Sequence, residues 1–287
     1  MCCQNEIPSG AAGTTDVAGK MIADGKNSSE TTYTPTKIPE EQANRAKDVI
    51  NFFTSEGPGL PGLTIEIGIG IAGIWSAESG IDPTKYNAAE RKDGYAFKNT
   101  HAPNAKTFKY PNTKNGTEYY MDQATMMKFG YGKGIAQWSW SRNLKFRDWY
   151  NSGNAEPGLP KMDVDAANIT ATSIATQTAF AWKEMSERTG EFLTTLSKVA
   201  GNSVTKMTGA TKEEKKAVFN ENVTKVVDAV LRGYENGSRT KMASVKQMNA
   251  YSWSGGYSGS MKTRVSRALG VAEALKDFYY EELSFLR

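Results

Sequence analysis

Residues 65–83 read Ile-Glu-Ile-Gly-Ile-Gly-Ile-Ala-Gly-Ile-Trp-Ser-Ala-Glu-Ser-Gly-Ile-Asp-Pro. Two structures fit this stretch. Ile65, Ile67, Ile69 and Ile71 alternate with polar or glycine positions, the two-residue period of a strand. Ile67, Ile71, Ile74 and Glu78 also lie at offsets of four, seven and eleven, which is one stripe of a helix. Periodicity leaves both open. The helical option has a chemical consequence, because it sets Glu78 on the apolar face, where desolvation raises a carboxyl pKa. Glu78 stands where the apolar run stops, with Ser79 beside it and Gly80 and Pro83 just after. A carboxyl so placed can hold a proton and act as a general acid, or it can simply end a helix at the surface.

Outward from this stretch, residues 1–38 are rich in Gly, Ser, Thr and Ala and poor in large apolar side chains. Such a composition does not bury enough surface to fold alone, so it reads as a tail or as an arm that orders against a partner. The folded part is expected over residues 39–287. Ala46, Val49, Ile50 and Phe53 form one helical stripe that Gly57 and Pro58 stop. Residues 84–120 are irregular and polar, and Thr107–Tyr110 and Thr117–Met121 flank a Pro-Asn-Thr-Lys-Asn-Gly turn, which predicts a short β-hairpin. Helices follow at Arg142–Tyr150 after Ser141, at Ser173–Met185, and after a Thr211/Glu214 capping box that leads into Val223, Val226, Val227 and Val230. Val265, Ala268, Leu269, Ala272 and Leu275 mark a closing helix. The expected fold is α+β and mainly helical, with a small β-hairpin element inserted.

Composition removes several functions. The 35 Lys and Arg against 31 Asp and Glu give a formal charge of +4. That balance suits a polyanionic cell-wall polymer but is too weak to indicate nucleic acid. Cys2 and Cys3 are adjacent and cannot staple distant elements, and His101 is the single histidine. A zinc site is therefore not expected, and the chemistry should need neither metal nor cofactor. No run of about eighteen apolar residues exists to span a membrane, and the N-terminus lacks a signal-peptide pattern. Action outside a cytoplasm would require delivery by something else.

Two further motifs make the chain specific. Gly130-Tyr131-Gly132-Lys133-Gly134-Ile135-Ala136-Gln137-Trp138 and a following Arg142 stand downstream of Ala77-Glu78-Ser79-Gly80-Ile81-Asp82-Pro83. In this order and spacing they resemble the phage tail lysozyme family, virion-associated peptidoglycan hydrolases with a lysozyme-like fold. The likeness runs over roughly residues 45–275 and continues more loosely through Gln177, Glu184, the Tyr234-Glu235 pair, Arg264 and Arg267. Two features depart from the family pattern: Ile74 replaces the asparagine that often follows the glycine, and the loop between the motifs is unusually long.

The resemblance implies Glu78 as the acid that protonates the leaving oxygen of a β-1,4 glycosidic bond. It also implies a bacterial peptidoglycan substrate, a tail-associated place in the virion and action in the host cell wall or periplasm. Residues 1–38 would then tether the enzyme to tail or other virion proteins. Gln137 offers a donor and an acceptor to a hydroxyl-rich sugar. Trp138 is either core or a stacking platform, while Tyr131, Trp140 and Tyr119 are candidates for a cleft wall and Trp75 for the core. Asp93, Glu118 and Asp122 are candidates for a second carboxylate, and Asp82 is expected to shape the turn before Pro83. A lytic transglycosylase on the same scaffold and a catalytically silent virion protein are the alternatives. A peptidase has no Cys/His pair or zinc ligands to work with.

Overall fold

The computed structural model describes residues 33–85, 132–138, 141–162, 169–235, 241–249 and 255–287, together with the backbone of 107–111 and 118–122. The main elements are α1 (Glu40–Thr54), α2 (Ile65–Glu78), β1 (Thr107–Pro111), β2 (Glu118–Asp122), α3 (Ser141–Trp149), α4 (Ile174–Ser186), α5 (Glu191–Gly201), α6 (Lys212–Ala229), α7 (Val245–Met248), α8 (Gly256–Leu275) and α9 (Tyr280–Leu283). The described fold is mostly helical. β1 and β2 pair antiparallel, with Thr107 opposite Asp122 and Pro111 opposite Glu118.

The 65–78 stretch is a helix, and its strand-like alternation has a packing cause. Every residue from Ile65 to Ser76 is buried, as expected of a helix that is apolar on all sides. Helices α1, α6 and α8 close around it. A Cβ on Gly68 would lie 3.3 Å from Cγ2 of Ile50 in α1; on Gly70 it would lie 2.5 Å from Cγ1 of Val226 in α6. On Gly73 it would lie 2.3 Å from Cβ of Ala268 in α8. Glycine therefore recurs where neighbouring helices touch α2, and isoleucine fills the space between them.

Both ends of α2 are fixed by polar ties. At its start the buried Glu66 carboxylate accepts hydrogen bonds from Ser203 Oγ at 2.9 Å, the Val204 amide at 2.7 Å and Asn222 Nδ2 at 3.5 Å. At its end Gln42 of α1 donates to the Ser76 carbonyl and hydroxyl, and Arg45 donates to the Gly80 carbonyl. Ile81 follows with φ 56°, a left-handed conformation that a β-branched residue adopts only under constraint. The constraint is visible: its amide bonds back to the Trp75 carbonyl and its side chain is fully buried.

The remaining helices follow their local signals. Ser173 caps α4 and Thr211 and Glu214 form a complete capping box on α6, supplying partners to amides that a helix start leaves open. The closing stripe is buried as expected within α8, although the helix begins earlier, at Gly256. Helix α5 was not anticipated. The packed unit begins at Tyr33, ahead of the Pro39 start expected from composition. Thr36 donates its amide to the Ser266 carbonyl at 2.8 Å, and its own carbonyl occupies the space a Cβ on Gly270 would need. Residues 1–32 of the expected arm lie outside the described residues.

Candidate active site

The two motifs separated by the long insertion meet at the end of α2. Ser79 Oγ donates to the Ile135 carbonyl at 2.8 Å, and the Gly134 amide donates to the Lys85 carbonyl at 2.9 Å. Gln177 of α4 holds the same junction from behind. Its Oε1 accepts from the Ile135 amide at 2.9 Å, while its Nε2 donates to the carbonyls of Pro83, Ile169 and Thr172. Gly134 has φ 70°, and a Cβ there would lie 2.3 Å from Gln177 Oε1. Glycine is required on both counts. Asp82 Oδ1 accepts from the Thr84 amide and hydroxyl, the turn-shaping role expected of it.

Gln137 closes the resulting turn with φ 50°, donating Nε2 to the Gly134 carbonyl at 2.9 Å. Its side chain is half-buried. Lys133 and Trp138 exchange backbone hydrogen bonds at 3.0 Å and seal the turn's base. Trp138 itself is fully buried, packed against Phe146 and Phe180. The platform role expected for it is corrected on this ground: no ring face is open to a sugar. Trp75 is likewise fully buried. Tyr131, Trp140 and Asp93 lie outside the described residues, as do the side chains of Tyr119, Glu118 and Asp122.

Behind the turn is a chain of carboxylates and guanidinium groups. Glu184 of α4 accepts from Trp138 Nε1 at 2.9 Å, Tyr234 OH at 2.8 Å, and Arg142 Nε and Nη2 at 3.2 and 2.8 Å. Burial opposes its charge, but the Arg142 cation and these donors outweigh burial and hold the carboxyl below its ordinary value. Arg142 also lies 4.6 Å above the Tyr234 ring, a cation–π contact. Its Nη1 reaches Glu235 Oε2 at 3.5 Å.

Glu78 pairs with Arg264 of α8, whose guanidinium also donates to Ser260 Oγ. Sequence periodicity put Glu78 on an apolar face; the fold adds a cation there. Glu235 adjoins the first pair through Arg142. Burial is the largest influence on it, the charges of Glu78 and Glu184 add to burial, and Arg142 and Arg264 oppose it. The result pushes the Glu235 carboxyl up to about 7. Its Oε1 is buried and has no hydrogen-bond partner among the described residues. In the sequence Glu235 belongs only to the looser likeness, which gives it no role. Arg142, Glu184 and Arg264 have none either, and no local pattern in the chain marks this cluster.

These carboxyls differ in access. The Glu78 side chain is 27% exposed, against 18% for Glu235 and 8% for Glu184. Among the described residues no group of His, Cys, Asp and Glu is arranged to hold a metal ion, and no helix is long and apolar enough to cross a membrane. In comparisons with known proteins, the family described as Phage tail lysozyme matches residues 44–257. No curated protein and no solved structure matches the chain.

Proposed function

Because the chain belongs to the phage tail lysozyme family, a family of tail-associated, lysozyme-like peptidoglycan hydrolases, we propose that it is a muramidase with Glu78 as its general acid. The observation that carries this reading is the position of Glu78. It ends a helix fixed at both ends, and it is the most accessible carboxyl of the charged cluster. A general acid needs a fixed aim and an exit to substrate.

Cleavage of the β-1,4 bond requires a proton on the leaving oxygen while positive charge grows on the sugar. Protonated Glu78 donates that proton and is left as a carboxylate. Arg264 then offsets its charge through the ion pair seen in the free enzyme. Gln137 and Tyr131 are the proposed sugar contacts. Trp138 contributes from behind, through the hydrogen bond that fixes Glu184. Delivery to the host wall and periplasm by the virion, through a tether in the N-terminal arm, belongs to the same proposal.

The test is digestion of purified sacculi by the wild type and by Glu78→Gln, with mass analysis of the fragments. Loss of about 100-fold or more in release is expected from removing a general acid. Undiminished release would rule out the assignment. Reducing muramic ends identify a hydrolase and anhydro ends a transglycosylase; no release by well-folded wild type identifies a structural virion protein.

A further inference from the structure

The peptide between Gly134 and Ile135 joins two glutamine carboxamides. Its N–H donates to Gln177 Oε1 at 2.9 Å, and its carbonyl accepts from Gln137 Nε2 at 2.9 Å. The N–H and C=O of a trans peptide lie in one rigid plane and point in opposite directions, and this peptide is trans. Any rotation of the plane therefore moves both bonds together. Gly134 has φ 70°, and a glycine leaves such a plane free to turn. The plane must be held from outside.

Gln177 is built to hold it. The side chain is fully buried on α4. Its Nε2 donates to the Pro83, Ile169 and Thr172 carbonyls at 3.0, 2.9 and 3.1 Å. One carboxamide thus ties the turn to the segment that follows Glu78 and to the approach to α4. Packing presses the turn against it, because a Cβ on Gly134 would lie 2.3 Å from Gln177 Oε1 and 3.1 Å from Ile169 Cγ2. At this length a carboxamide both donates and accepts. A carboxylate would set its charge against three carbonyls, and an apolar side chain would leave the buried amide and carbonyls short of a partner.

On the other side of the plane, the bond to the Gly134 carbonyl engages one N–H of Gln137 and so orients the rest of its half-buried carboxamide. The direction of that carbonyl is the direction in which Gln137 is presented. We infer that Gln177 is a positioning residue for glycan binding: it fixes the Gly134–Ile135 peptide and through it aims Gln137 at the sugar, so that the two glutamines act as one unit. The inference rests on Gln137 being a sugar contact. Gln177 works from behind the turn, and its bond to Pro83 sets the aim relative to the helix that ends at Glu78.

The experiment measures sacculus clearing by wild type, Gln137→Ala, Gln177→Met and the double variant, per folded molecule. Gln137→Ala should raise the half-saturating concentration about fivefold, the net worth of one hydrogen bond. Gln177→Met should raise it by a similar factor, and the double variant no further than Gln137→Ala alone. A merely structural glutamine would lower the folded fraction and the maximal rate and leave the half-saturating concentration in place. That result for Gln177→Met, or two rises that multiply in the double variant, overturns the inference. A rise in Gln137→Ala without one in Gln177→Met removes only the positioning role, whereas no rise in Gln137→Ala removes the proposed sugar contact itself.

A second measurement needs no Gln177 variant. In full-length Glu78→Gln protein, amide hydrogen exchange is followed by NMR with and without a tetrasaccharide of the peptidoglycan glycan strand. A sugar held by Gln137 restrains the plane, so exchange at the Ile135 amide should slow more than at the Val204 amide, which is bonded to Glu66 near the other end of α2. Equal slowing at the two amides overturns the inference.

Discussion

Replacing Glu184 by glutamine tests the foundation on which the site stands. The Glu184 side chain is 8% exposed and its Arg142 partner 22%, so the ion pair is largely dry. Removing one partner of such a pair leaves an uncompensated buried charge, which costs about 3–5 kcal/mol. The Trp138 N–H and Tyr234 O–H lose a charged acceptor, and a glutamine amide would direct donors at some of these donors. A loss of about 4 kcal/mol at pH 7 is expected, or roughly 10 °C in melting temperature for a domain of this size.

The pH dependence gives the sign. The Glu184 carboxyl is held below its ordinary value in the folded state, so its contribution is present above the unfolded-state pKa. That contribution is lost as pH falls through the folded-state value. Urea unfolding of wild type and variant from pH 7 down to pH 3 should show a wide gap that narrows in acid. A variant within about 1 kcal/mol of wild type at pH 7, where the pair is intact, would refute the reasoning; so would a gap that does not change with pH.

Two further outcomes follow from the same geometry. Trp138→Phe keeps an aromatic ring in the Phe146/Phe180 pocket but removes the hydrogen bond to Glu184. It should cost about 2 kcal/mol of stability and leave the half-saturating sacculus concentration unchanged; a severalfold rise there would restore a sugar contact for Trp138. Deletion of residues 1–32, which spares the Tyr33–Ile38 segment packed on α8, should preserve sacculus digestion and abolish incorporation into particles. Normal incorporation of the shortened chain would remove the proposed tether.

Much of the helical frame was legible because its signals are local. The Thr211/Glu214 capping box, the Ser173–Met185 segment and the α8 stripe each lie within one helix and need no knowledge of the fold. The α2 stretch was ambiguous for a physical reason. A helix surrounded on all sides has no polar face to set a period, and its glycines record neighbours distant in sequence. The proposal for Glu78 starts from the break that follows it and from its spacing to the Gln137-Trp138 motif. Its partners were not. Arg264 is 186 residues away, and Arg142 and Glu235 are separated by 93. They are brought together only by the junction of four helices and the segment ending at Glu235. Trp138 misled for a related reason: its indole is amphipathic, and its polar edge found a buried carboxylate.

The hydrogen bond between the Lys85 carbonyl and the Gly134 amide also bears on how such an enzyme can diversify. The described chain on the two sides of the long insertion is joined at this bond, between Lys85 and Gly134. The entropy of closing such a stretch grows slowly with its length, about 0.6 kcal/mol for each doubling. Lengthening or recasting it therefore places little demand on the helices that aim Glu78. Glu78, the proposed acid, thus ends a helix packed on every side from Ile65 to Ser76, a frame that a longer or shorter insertion would leave in place.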